Sequence, residues 1–144
     1  MKNITDVLPS YPPPTLFAIR HKLVRSVLDS LQTFFHRKGY HVRCMTDRKS
    51  TEMKGEIRAF ARDISQSKPS IAAIFICSHA DCGHPYGSDG NQISLEHDVF
   101  APLEETNLPE MKGKPKLVFI QACQKIKRGK NVENNILFYY FVHA

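Results

Sequence analysis

Apolar positions along the chain fall into short continuous runs and helically spaced sets, and the two kinds alternate. Residues 16–19 (Leu-Phe-Ala-Ile) are a brief continuous run, the mark of a buried strand. Leu23, Val24, Val27, Leu28, Leu31, Phe34 and Phe35 then recur at helical spacing and predict an amphipathic helix that Gly39 ends. Residues 40–45 alternate as a strand does. Ser50 or Thr51 is placed to cap a second helix, with Glu52 in its first turn and Met53, Ile57, Phe60, Ala61 and Ile64 on its apolar face. After Pro69 and Ser70, residues 71–76 form another apolar run. Residues 81–92 carry three glycines, a proline and Ser88-Asp89-Gly90, which predicts a loop with a tight turn. A short helix fits residues 95–103, and residues 117–120 are the last continuous run before the tail. The alternation β-α-β-α-β-loop-β predicts an α/β domain with a largely parallel sheet.

The two ends read differently from this core. Residues 1–14 hold four prolines and predict a stiff, extended segment. Residues 125–144 begin basic (Lys125, Lys127, Arg128, Lys130) and continue into seven uncharged apolar or aromatic residues, 136–142. Such a segment either pairs with a sheet or aggregates, and sequence leaves both open. The domain therefore spans residues 15–124.

Composition narrows the class without naming a function. With 144 residues, 42% of them hydrophobic and 24% charged, the chain suits one soluble domain with a proper core. Its net charge of +6 comes without a basic-aromatic recognition module, so nucleic acid is not an expected partner. No apolar run approaches the roughly 20 residues of a membrane span, and residues 1–14 lack the core of a secretory signal. Four cysteines at irregular spacing suggest reduced thiols and a cytoplasmic setting rather than a disulfide framework.

The chemistry sits where two of the apolar runs end. One leads into Cys77, Ser78 and His79, the other into Gln121, Ala122 and Cys123. Open α/β sheets place ligands at the carboxyl edge of their strands, so a thiol and an imidazole are expected there together. A cysteine attacks carbonyls as its thiolate, and a neighbouring histidine helps maintain that thiolate and later protonates a leaving amine. A strand-end cysteine is more often core than catalyst, and Cys44 and Cys77 read as core. A rival grouping, Cys77, His79, Cys82 and His84, has zinc-ligand chemistry but lacks the usual second ligand pair further along. No metal or other cofactor is expected.

Gln121-Ala122-Cys123-Gln124 resembles the caspase signature, Gln-Ala-Cys followed by Arg, Gln or Gly and then Gly, with a histidine roughly 50 residues upstream. Gly113-Lys114-Pro115-Lys116 precedes it as in that family, Ser78-His79 matches the start of the family's Ser-His-Gly, and residues 86–90 resemble the turn after that motif. Residues 31–42 resemble the first helix and second strand. The likeness covers residues 16–124. It implies a three-layer α/β/α caspase-like sandwich with a mostly parallel sheet, limited to the large-subunit part.

By the same resemblance Cys123 is the nucleophile and His79 the general acid-base. The backbone N–H groups of Cys123 and Ala80 form the oxyanion hole, and Gln121 lines a pocket for the substrate's aspartate. Ala80 and Lys125 stand where the family has glycine. The family's pocket arginine, on a loop after the first strand, has no matching motif, which leaves Arg20 and Arg25 as substitutes. The implied activity is a cysteine endopeptidase cleaving after aspartate, in apoptosis or innate-immune signalling. Its partners would be aspartate-containing protein substrates and a caspase small subunit or another caspase chain, with which it would dimerise. Two alternatives remain: a catalytically silent caspase-like regulator that binds an active caspase, and a truncated splice product.

Overall fold

The computed structural model describes residues 13–20, 25–81, 84–124 and 134–142. Five strands stand side by side in the order β2 (His41–Thr46), β1 (Thr15–Arg20), β3 (Ala72–Asp81), β5 (Lys116–Gln124) and β6 (Asn134–Val142), and the two-residue β4 (His84–Pro85) pairs with the end of β3. The first four of these are mutually parallel; β4 and β6 run antiparallel to their neighbours. Helix α1 (Arg25–Arg37) follows β1 and α2 (Ser50–Ser67) follows β2.

The two helices cover opposite faces of the sheet. Met53, Ile57, Phe60 and Ile64 recur along α2 at helical spacing and are at most 1% exposed. They pack on Phe17, Ile19, Ile74, Ile76, Val118 and Ile120, the alternate residues of the three central strands. Phe60 stacks on Phe17 with ring centroids 5.5 Å apart, and truncating so buried a phenylalanine costs about 3–5 kcal/mol. The other alternate set, Ala18, Cys44, Phe75 and Cys77, meets Leu31 of α1. Strands buried on both faces read as continuous apolar runs, and the result is a three-layer α/β/α sandwich.

Several elements depart from the sequence expectation for reasons that lie elsewhere in the chain. Phe34 is 54% exposed, so the apolar face of α1 is narrower than its spacing implied. Helix α2 is capped by Lys49, whose N–H donates to Glu52 Oε2 at 2.9 Å; neither Ser50 nor Thr51 is the cap. Ser50 is recruited instead by Asp89, which accepts from its backbone N–H at 3.1 Å and its hydroxyl at 2.9 Å. Asp89 also accepts from the Asn91 side-chain amide at 3.1 Å. The predicted loop thus folds back on the start of α2. Gly87 allows the close approach: a Cβ there would fall on the Ser50 backbone nitrogen and 2.8 Å from the Lys49 carbonyl carbon.

The expected short helix over 95–103 is a π-helical turn (Leu95–Phe100) running into a 3₁₀ turn (Ala101–Leu103). β3 and β5 extend beyond their apolar runs, through His79 and Cys123. The tail resolves one open question, because Asn134–Val142 pairs with β5 as β6. Residues 1–12 and the basic run at 125–130 lie outside the described residues.

Asp89 sets an acid limit on this arrangement. Desolvation pushes its carboxyl up, but the hydrogen bonds from Asn91 and Ser50 outweigh it and hold the group at about 2, below the ordinary 3.8. A lowered carboxyl stabilises the fold fully above pH ~4 and loses that contribution as pH falls through the folded value. Asp89→Ala should therefore lower the melting temperature at neutral pH and flatten its fall in acid, a comparison that calorimetry from pH 7 to 2 makes directly.

Lys116 carries the opposite lesson. Its side chain is fully buried and its Nζ has no hydrogen-bond partner. Burial lowers its pKa from 10.5, and Glu105 opposes the shift. A depressed lysine costs stability below its folded pKa, and that cost fades as pH rises towards 10.5. Lys116→Met should stabilise the protein by about 1–3 kcal/mol at neutral pH, with the gain shrinking in alkali; denaturant titrations at two pH values measure both.

Candidate active site

The site is built by the register of β3 against β5. Ala72 pairs with Lys116, and the pairing continues without interruption to His79 opposite Cys123 and Ala80 opposite Gln124. Directly opposed residues of paired strands share a face. One step earlier on that face, Cys77 lies opposite Gln121, and its Sγ donates to Gln121 Oε1 at 3.5 Å. Strand periodicity of two then puts positions 77, 79, 121 and 123 on the α1 side of the sheet. The thiol and imidazole positions that the sequence singled out are neighbours, adjoining the glutamine nominated for the substrate pocket.

Ser78 belongs to the other face and fixes the path of the chain just beyond His79. It is 8% exposed, and its hydroxyl donates to the Tyr86 carbonyl at 2.5 Å. Past this point Ala80 pairs with Pro85 and Asp81 with His84, so the chain reverses immediately after the histidine. Tyr86 bridges to Gln92. Through Asp89 the same loop is tied to Ser50, so the histidine-bearing strand end is anchored to the start of α2.

The two oxyanion positions lie inside paired strands. Cys123 is flanked by His79 of β3 and Asn135 of β6, and Ala80 by Gln124 of β5 and Pro85 of β4. Of the two substitute arginines, Arg20 ends β1 opposite Cys77, in register with the Cys77–Gln121 pair. Arg25 opens α1, across residues 21–24, which are outside the described set.

Two further positions at this edge, Arg48 and Asn135, carry no motif. Arg48 lines a narrow cleft, partly open to solvent, with Ile19, Asp47, Cys77, Ser78 and Tyr86. Ile19 and Met53 in that lining belong to the α2-side core, whereas Cys77 pairs with Gln121 on the other face. The only sequence signal of Arg48 was its place just after a predicted strand. Asn135 was hidden in a tail without a motif. Of the rival zinc grouping, Cys82 is outside the described residues, Cys77 is 2% exposed and donates to Gln121, and His84 is exposed. Among the described residues no helix is long and apolar enough to cross a membrane.

A family model described as the Caspase domain matches residues 24–137. Caspase-2 of Gallus gallus is 29% identical over 72% of this chain and 24% of its own length. Cell death protein 3 of Caenorhabditis remanei is 31% identical over 69% of this chain and 19% of its own. Caspase-8 of Mus musculus is 40% identical over 43% of this chain and 12% of its own. The chain thus spans a quarter or less of the length of these relatives. The solved structure of pro-sf-caspase-1 superposes with a TM-score of 0.68 at 20% identity, over 86% of this chain and 56% of that one. With a parallel-sheet sandwich of this kind and a family match over most of its length, the chain belongs to the caspase domain family.

Proposed function

We propose that this chain is the large-subunit part of a caspase-type cysteine endopeptidase that cleaves peptide bonds after aspartate. The observation that carries the reading is the pairing of His79 with Cys123 across adjacent parallel strands, next to Gln121. An imidazolium beside a thiol stabilises the thiolate, which is the attacking form. Cys123 adds to the scissile carbonyl, His79 protonates the departing amine, and a water activated by His79 then releases the acyl group. Gln121 lines the pocket for the aspartate side chain, and Arg20, in the same row with Cys77 between them, supplies the positive charge that a carboxylate needs.

The resemblance adds the N–H groups of Cys123 and Ala80 as oxyanion donors, which serve once they are freed from their ladders. In this reading the partners are protein substrates and a caspase small subunit or another caspase chain, and the setting is apoptotic or innate-immune signalling in the cytoplasm. A second reading, a silent regulator that pairs with an active caspase, is favoured by those same N–H groups lying inside paired strands.

Two measurements test this. An aspartyl peptide reporter should be hydrolysed by the chain, alone or joined with a caspase partner, and Cys123→Ala should abolish the chain's own contribution. A partner whose rate changes equally with wild type and Cys123→Ala would establish the regulator instead. Separately, iodoacetamide should alkylate Cys123 well into neutral pH, and His79→Ala should move the alkylation midpoint upward. An unmoved midpoint would mean that the two residues do not share a proton.

A further inference from the structure

The glutamine of the pocket is held from the neighbouring strand. Gln121 accepts through its Oε1 from the Cys77 thiol at 3.5 Å, a bond between residues 44 positions apart that the β3–β5 register sets directly opposite each other. Cys77 is 2% exposed and packs in one cluster with Ala18, Leu31, Cys44 and Phe75, so close packing keeps the thiol in place. Its sequence reads as core, and it is core. An aliphatic residue would fill the same space without bringing a donor.

A carboxamide has one oxygen acceptor and two N–H donors. With Oε1 turned to the thiol, the amide of Gln121 is fixed in one of its two orientations. What it leaves open is Nε2: among the described residues nothing accepts from either of its hydrogens. A half-buried amide in that state offers donors and favours a ligand that only accepts, as a carboxylate does. The flipped amide would present oxygen instead, and two acceptors facing each other repel. An unanchored glutamine would also keep rotatable bonds that the ligand must freeze. The thiol is a weak donor, but it settles a choice of orientation before the ligand arrives.

We propose that Cys77 is a positioning residue of this site, whose thiol pre-orients Gln121 to give its amide N–H groups to the carboxylate of a substrate aspartate. The proposal rests on the reading of Gln121 as part of the aspartate pocket given above. Cys77 acts through Gln121 and does not itself contact substrate. The two cysteines then have opposite requirements: Cys123 reacts as a thiolate, whereas Cys77 works only while its proton is in place.

Two peptides that differ in one side chain separate this role from a packing role. Acetylated tetrapeptides ending in aspartate or in asparagine are the products of such a cleavage and are not consumed. Each is titrated into the full chain, with the Gln121 side-chain amide followed by nitrogen-15 NMR. In the wild type the aspartate peptide should shift that amide and bind more tightly than the asparagine peptide. Cys77→Val, which keeps the bulk, and Cys77→Ala, which cannot clash, should each lower the aspartate-to-asparagine affinity ratio about 3–10-fold, the size of one lost hydrogen bond. Cys77→Ser, which keeps a donor, should restore the ratio. A ratio unchanged in the valine and alanine variants would overturn the proposal, even if both peptides bound more weakly, since that would be an effect on the fold. So would a serine variant that behaves as the valine one does. An aspartate peptide that leaves the Gln121 amide unmoved in the wild type would overturn the pocket reading itself, and the role of Cys77 with it.

Discussion

Everything in this molecule depends on the register of β3 against β5. A slip of one residue would turn Ile74, Ile76, Val118 and Ile120 from the α2-side core towards the opposite face. Those four residues are among the most deeply buried in the protein, so the core holds the register with several kcal/mol of apolar burial. The same register puts His79 opposite Cys123. A pair of polar residues at the end of two strands has little energy of its own with which to choose a geometry. Here it inherits one from the aliphatic residues behind it.

This division of labour explains which features were legible in the sequence. The apolar face of α2 was legible because Met53, Ile57, Phe60 and Ile64 follow a local period, and all four are buried. The central strands were legible as continuous runs because both their faces are covered. The cysteine–histidine row was legible because it lies just past two such runs, and because Gln121-Ala122-Cys123-Gln124 carries a family signature.

The features that escaped were non-local. Nothing near Ser50 says that Asp89, 39 positions later, takes its hydroxyl and leaves the capping to Lys49 and Glu52. Nothing in the helical spacing distinguishes Phe34, which is 54% exposed, from Leu31, which packs on the sheet. The continuation of β3 and β5 through polar residues comes from pairing with neighbours rather than from propensity. The tail was ambiguous for the same reason: residues 136–142 needed an edge to pair with, and the free side of β5 supplied it. Asn135 acquired its neighbours only through that pairing.

The strand order also bears on how the chain assembles. β3 and β5 meet across a separation of 44 residues, a closure that is slow to find and must be stabilised by the helices it carries. β6 instead returns to its immediate predecessor across residues 125–133. Short-range pairings of that kind close in microseconds once their template exists. The sandwich can therefore form first and acquire its outermost strand afterwards. The row through Cys123 is then finished last, on an edge that the closed core has already aligned.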